Sequence, residues 1–394
     1  MILRISRFLG FAAILTSVLC NEFILSALFA SGEHTGTVNT YIIRILQVLV
    51  FLWGFLLLIF AKRNNKITAV LYGILVAILL IAITEIVCYI IYKATDPDIH
   101  ESLAGLYEPD PVTGYKYTPD AHVRAVRTID DEVIYNVEYN IDSLGRREVP
   151  LENPLDTVRE KFIAFFGCSV AFGAGLNDNQ TLPWYIQKSL QDHKIYNYGV
   201  MGYGAQQVYA KIRQVSLAEE IREKEGICIY EFIDEHIDRT VGTMEVYNLW
   251  AQDCPYYYLN DNMIRRNGTF TTGRPLRSVV YAILGKSYLL KLLKFNLSCK
   301  YNSYDLALTA GLIKGSDSLF RRHYKQSRFI VLFYPGTEYV DEMIPYLEYY
   351  GIEYLDYSSF FELTGKYKIP GDYHPTEEAS KTIAVQLCKD LYPD

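Results

Sequence analysis

Three long apolar runs crowd the first 93 residues of this 394-residue chain, at 8–30, 41–60 and 67–92, and no fourth follows. Each approaches the roughly 20 apolar residues that a helix needs to cross a bilayer core. A chain that opens this way divides into a membrane part, 1–93, and a part outside the bilayer. The first run is longer than the apolar core of a signal peptide and two more follow it directly, so three retained helices are expected. Arg4 and Arg7 precede the first run, and Lys62, Arg63 and Lys66 fill the loop after the second, whereas 31–40 holds no Lys or Arg. That bias puts the N-terminus in the cytoplasm and everything beyond residue 93 on the outer side, periplasmic or extracellular in a bacterium. Counted at about 1.5 Å per residue, Glu22, Arg44 and Glu85 reach similar depths near the outer face, which predicts a Glu–Arg pairing there. Ala69, Gly73 and Ala77 form a small-residue stripe suited to close helix packing.

A net charge of −7, with no Lys/Arg run longer than two, offers no stripe for a phosphate backbone and argues against nucleic acid as a partner. The seven cysteines form no CxxC pair and no His-associated metal spacing, so no metal site is expected; Cys254 and Cys299 are candidates for pairing in an oxidising compartment. The 34 tyrosines exceed ordinary usage and include rings that could stack on sugars, alongside core and interface roles.

Beyond the membrane part, 94–160 reads as a linker and small β module. Prolines at 97, 109, 111 and 119 suggest an extended linker to residue 120, and VIYNVEYNI at 133–141 alternates as a strand before a turn at 143–146. From residue 161 to 394 the pattern is α/β. Five short apolar runs (FIAFFG, IYNYG, GICIYEFI, FIVLFYP, IEYLDY) alternate with helical segments, which predicts a doubly wound, parallel five-stranded sheet with an irregular, partly helical insertion at about 238–322. In such sheets the site lies beyond the carboxyl ends of the strands.

The residues at those ends carry the chemistry. After the first strand, Gly167-Cys168-Ser169 presents a hydroxyl on a small-residue turn, where an adjacent base could activate it. After the second, 197–204 (NYGVMGYG) supplies glycines that let backbone N–H groups approach an oxyanion. Before the last helix stand Asp372, Tyr373, His374 and Pro375, with Pro375 suited to the first helical position and Asp372 able to orient the imidazole of His374.

Together these blocks resemble the SGNH (GDSL-like) hydrolase family over roughly residues 161–391, and 107–147 resembles the entry segment of its membrane-linked bacterial members. The resemblance implies a flavodoxin-like fold, Ser169 as nucleophile, His374 as base with Asp372 behind it, and Gly202 with Ser169 as oxyanion donors, without metal or cofactor. It departs from the family in three places. Cys168 replaces the Asp of Gly-Asp-Ser. Asp372 stands only two residues before His374, where the family usually has Asp-x-x-His, which leaves the orienting role of Asp372 open. The third block, where the family has an oxyanion-donating Asn, reads Asp234-Glu235-His236, which leaves Asp234 or His236 as candidate donor; a carboxylate cannot donate unless protonated. The implied function is a serine-dependent acyl-ester hydrolase or O-acyltransferase acting on an envelope or surface glycan ester outside the membrane. Its partners are then the membrane and an acylated small-molecule or glycan substrate, with no particular membrane-protein partner indicated. The rival reading is a catalytically inactive binding or scaffold protein of a glycan assembly complex.

Overall fold

The computed structural model describes residues 2–19, 48, 50–59, 65–151, 159–214, 217–261, 263–297 and 301–393. They fall into two compact units, 1–96 with 279–295, and 97–278 with 296–394.

Among its described residues the N-terminal segment of the first unit forms apolar helices α1 (Ile2–Leu19), α2 (Val50–Ile59) and α3 (Asn65–Thr95). Among the described residues one helical stretch is long and apolar enough to cross a membrane, Val70–Thr95 within α3. The other two expected spans run onto residues outside the described ones, so one of the three expected spans is supported and the three-span arrangement is not. Among the described residues the close packing expected along Ala69, Gly73 and Ala77 is not seen at Gly73, and the Ala69 side chain lies outside them. A Cβ on Gly73 would meet nothing within 4 Å, whereas one on Gly10 would sit 2.8 Å from the Gly54 carbonyl oxygen and one on Gly54 2.7 Å from that of Gly10. Bare glycines thus let α1 and α2 touch backbone to backbone. Trp53 Nε1 donates to the Leu71 carbonyl at 3.3 Å and ties α2 to α3. Glu22 and Arg44 lie outside the described residues, and Glu85 finds a different partner, Ser287 with Tyr288.

The second unit begins with β strands where an extended linker was expected. β1 (Ile99–Ser102), β4 (His122–Ile129) and β5 (Glu132–Asn140) form an antiparallel sheet in the order β1-β4-β5, and β2 (Tyr107–Asp110) pairs only with β3 (Gly114–Tyr117). The prolines misled because Pro109 sits in a two-stranded hairpin, where an imide costs no interior ladder bond. β5 alternates as expected, with Tyr135, Val137 and Tyr139 buried.

The larger sheet is parallel and five-stranded: β6 (Lys161–Phe166), β7 (His193–Asn197), β8 (Glu225–Phe232), β11 (Arg328–Phe333) and β12 (Glu353–Asp356), in the order β12-β11-β8-β6-β7. Counted along the chain that is 2-1-3-4-5, a doubly wound order whose direction reverses between β6 and β8. Its helices are α4 (Ser169–Phe172), α5 (Leu182–Ser189), α6 (Ala205–Gln214), α7 (Glu235–Val241), then α8 (Pro275–Leu284) and α9 (Tyr288–Leu292) in the insertion, α10 (Ser303–His323), α11 (Val340–Tyr350) and α12 (Glu377–Leu391). Alternate β8 residues serve opposite cores. Cys228, Tyr230 and Phe232 pack with α6, α10 and α11, while Ile227 and Ile229 pack with α5 and α12. The insertion is shorter than expected and contains the hairpin β9 (Pro255–Asn260) and β10 (Met263–Thr269), because α10 is a crossover helix of the sheet, buried along Leu306, Ala310, Ile313 and Phe320. Cys254 is a buried free thiol whose sulfur accepts from Gln207 Nε2, and burial pushes its pKa up to about 12; Cys299 lies outside the described residues.

Candidate active site

Ser169 follows β6 at the edge where the strand order reverses, and opens the one-turn helix α4 with its side chain buried. The turn is held from below by the accessory β module. Arg147, 1% exposed, donates from Nε to Asp178 Oδ1 at 2.9 Å, from one terminal nitrogen to the carbonyls of Phe172 (2.8 Å) and Gly173 (2.6 Å), and from the other to that of Leu176 (2.5 Å). A helix end leaves carbonyls without intrahelical donors, and a guanidinium fork is shaped to meet several at once. Asn140 holds the other Asp178 oxygen.

The last block is braced by the same module. His374 Nδ1 meets Asp372 Oδ1 at 2.9 Å, and the Asp372 side chain is 1% exposed. Its other oxygen lies 3.5 Å from Arg127 Nε of β4, and Arg127 in turn pairs with Glu101, which accepts from the Tyr135 hydroxyl. Burial alone would raise the Asp372 pKa, but the hydrogen bond and charge of His374 and the Arg127 guanidinium hold it below the ordinary carboxylate range. The Arg127 face of this pair opens on a cleft of about 580 Å³ lined by Ile129, Lys368, Ile369 and Tyr373. Pro375 is not the first helical residue: Thr376 caps α12, its Oγ1 accepting from Ala379 N, so His374 stands two residues before the cap.

The Ser169 and His374 turns meet through their neighbours. The Ile369 side chain, whose backbone N–H donates to the His374 carbonyl, lies 2.6 Å from where a Cβ on Gly175 would be. Glu377 in the first turn of α12 accepts from Tyr185 at 2.6 Å and from Gln180 at 2.8 Å. Ser169 and His374 share no direct hydrogen bond here. The Ser169 hydroxyl contacts the Cys168 sulfur at 4.0 Å.

Gly202 has φ +80°, and a Cβ there would lie 2.5 Å from the Tyr115 hydroxyl and 3.2 Å from Trp250 Nε1, so only glycine fits. Tyr115 donates to the Met201 carbonyl and Tyr117 accepts from Met201 N, both at 2.8 Å, which pins the loop from the β2–β3 hairpin.

The third block is arranged differently from expectation. Asp234 is not a donor at the site: its oxygens accept from Glu338 N (2.7 Å) and Tyr339 N (3.1 Å), and burial pushes its pKa up to about 6. His236 is fully buried with Nδ1 2.8 Å from the Tyr230 hydroxyl and Nε2 unpartnered, and burial drives its pKa well below the histidine range, so the ring is neutral. One helical turn further, Arg239 donates to the Tyr203 carbonyl at 3.1 Å and faces the Cys168 thiol. Burial opposes its charge, yet Cys168, Glu235 and Tyr115 hold its pKa above the usual arginine value. Glu231 on β8 is 1% exposed with neither oxygen hydrogen-bonded, and burial raises its pKa well above the ordinary value, so it is a neutral acid.

Arg127, Arg147, Arg239 and Glu231 were not singled out by sequence reasoning. The two Arg of the module sit in alternating or turn segments, where an Arg reads as a solvated face.

No family model matches the chain, and no curated protein does. Among solved structures it is similar to a lipolytic protein of the G-D-S-L family from Veillonella parvula, at 12% identity over 58% of this chain and 97% of that one, with a TM-score of 0.36. Two acetylxylan esterases are similar at the same level: one from Butyrivibrio proteoclasticus (12%, 59% and 64%, TM-score 0.32) and one from Geobacillus stearothermophilus (11%, 60% and 95%, TM-score 0.30). At these values the case for the site rests on its own residues.

Proposed function

We propose that the α/β unit is a serine-dependent acyl-ester hydrolase or O-acyltransferase in which Ser169 attacks the acyl carbon and His374 carries the proton. The observation supporting this most is the pairing of His374 with the buried Asp372 on a turn that packs against the segment following Ser169. With Nδ1–H donated to Asp372, the imidazole keeps Nε2 to accept the Ser169 proton. The Oγ–C bond then forms, the carbonyl electron pair moves to oxygen, and the oxyanion takes hydrogen bonds from the Ser169 and Gly202 N–H groups. Collapse expels the alcohol, which takes its proton from His374, and water or an acceptor hydroxyl then reverses the sequence on the acyl-enzyme.

The donor that the family draws from its third block comes here from Arg239, which bridges Cys168 beside the nucleophile and Tyr203 beside Gly202. A permanently charged donor suits an oxyanion better than Asp234, which is engaged elsewhere. The substrate is an O-acyl, acetyl-sized ester of an envelope or surface glycan, met on the outer side of the membrane. Trp250, 39% exposed beside Gly202, offers a ring on which a sugar can stack. The outer location rests on the Lys/Arg bias of the sequence, read as three spans with an inside N-terminus, and an activity reporter fused after Asp394 should work only outside the cytoplasm.

Release of acetate from p-nitrophenyl acetate and from acetylated oligosaccharide tests the function. Ser169→Ala and His374→Ala should each abolish it, and the double variant should be no worse than either. Full activity in Ser169→Ala would leave the scaffold reading.

A further inference from the structure

In the unit formed by 1–96 and 279–295, the α8–α9 elbow is seated on α3 at Glu85. Ser287 donates its hydroxyl to one Glu85 oxygen at 2.5 Å, and Tyr288 donates its N–H to the other at 2.7 Å. The Tyr288 ring packs edge-on against Tyr89 and Tyr92 of α3, with centroids 4.9 and 5.6 Å away, and Lys291 lies over Tyr92 and Tyr288. Outward from this contact the part of α8 within this unit presents Val279, Val280 and Ile283, neighbours on one helix face and all exposed. The opposite face holds Tyr281 and Ala282, which are buried.

We propose that α8 and α9 form a membrane-embedded elbow whose α8 stripe lies among the acyl chains of the leaflet on the C-terminal side of α3. This rests on the reading of α3 as a membrane span. Three observations select lipid as the occupant. Glu85 lies ten residues before Thr95, about 15 Å along the helix axis, so whatever docks there reaches below the headgroups if Val70–Thr95 crosses. The Tyr89, Tyr92 and Tyr288 cluster with Lys291 has the composition of an interfacial belt, amphipathic rings beside a cation that can meet lipid phosphate. Finally, the elbow leaves none of its amides bare: Gly285 donates to Tyr281, Lys286 to Ile283, Ser287 to Leu284, and Tyr288 to Glu85. A turn bordering hydrocarbon must satisfy its backbone internally, and here a carboxylate from the span completes the set. The same contact gives an acidic side chain inside an apolar helix two hydrogen-bond donors, which lowers the cost of holding it there.

The test uses the full-length protein reconstituted in phosphatidylcholine and phosphatidylglycerol vesicles, with an environment-sensitive fluorescent amino acid replacing Val279, Val280 or Ile283 in turn. These side chains are exposed, so the replacements leave packing intact. Probes at Ile81 on α3 and at exposed Tyr349 serve as references. The expected result is blue-shifted emission at the α8 positions and at Ile81, quenched by acyl-chain-brominated lipid and not by iodide, with the reverse at Tyr349. Iodide-quenched, water-like emission at the α8 positions with Ile81 in lipid overturns the elbow alone. Water-like emission at Ile81 as well overturns the membrane reading on which it rests.

Discussion

Replacing Arg147 by Met should damage both the stability and the reactivity of the α/β unit. The guanidinium makes four hydrogen bonds, three to carbonyls at the end of the Ser169 turn and one to Asp178, whose side chain is 10% exposed. Met fills a similar volume but supplies no donor, so Asp178 keeps a buried charge with Asn140 as its remaining side-chain partner. Breaking one partner of a buried pair costs about 3–5 kcal/mol. Against a total stability of about 5–15 kcal/mol that is a large fraction. Urea unfolding followed by tryptophan fluorescence should show a lower midpoint with an unchanged slope. Adding Asp178→Leu should recover only part of the loss, because the Phe172, Gly173 and Leu176 carbonyls stay without their donor. In folded protein, p-nitrophenyl acetate hydrolysis should also fall, since the turn that aims Ser169 loses its staple. A loss under about 1 kcal/mol, or full recovery in the double variant, would refute the reasoning.

Arg127→Gln removes a cation from the Asp372 carboxylate, so the Asp372 pKa should rise. The acid limb of the pH–activity profile should move to higher pH, with kcat/KM down roughly tenfold, or about 1.4 kcal/mol, and Arg127→Lys should restore part of it. Because the folded-state pKa of Asp372 is depressed, its pairing stabilises the protein above the ordinary Asp range and is lost as pH falls through the folded value, which urea midpoints across acid pH will read. Glu231 has the opposite sign: the folded chain holds a proton that the unfolded chain releases, so stability drains as pH rises past the ordinary Glu range, and Glu231→Gln should flatten that slope. Gly202→Ala should cost on the order of 10² in kcat while the fold survives, since the new methyl collides with the Tyr115 hydroxyl in a left-handed backbone.

Much of the fold was legible because short apolar strands alternate with helices, and the small-residue turns fall at the strand ends. α10 was folded into the insertion because its buried face is built partly from Thr309, Ala310, Gly311, Ser316 and Asp317, which blur the 3.6-residue apolar period. The linker reading failed because proline punctuation is tolerated in an edge hairpin. Ser169, Gly202, Asp372 and His374 could be picked out because each adjoins its strand or helix in a short motif. Their supports could not. Arg147 reaches Asp178, Arg127 reaches Asp372 and Tyr115 reaches Met201 across 31, 245 and 86 residues, and local pattern holds no trace of such contacts. Arg239 is nearer in kind: it lies one helical turn beyond His236, and the departure of the third block from Asn was the signal to look there.

The central claim is that Ser169 is activated by His374. A fluorophosphonate probe on the full-length protein, followed by peptide mass spectrometry, tests it most directly. The account predicts one adduct, on Ser169, forming rapidly in the unaltered protein, slowed by at least a hundredfold in His374→Ala and absent in Ser169→Ala. An unmodified Ser169 in folded protein, or equal labelling with and without the His374 imidazole, would contradict it.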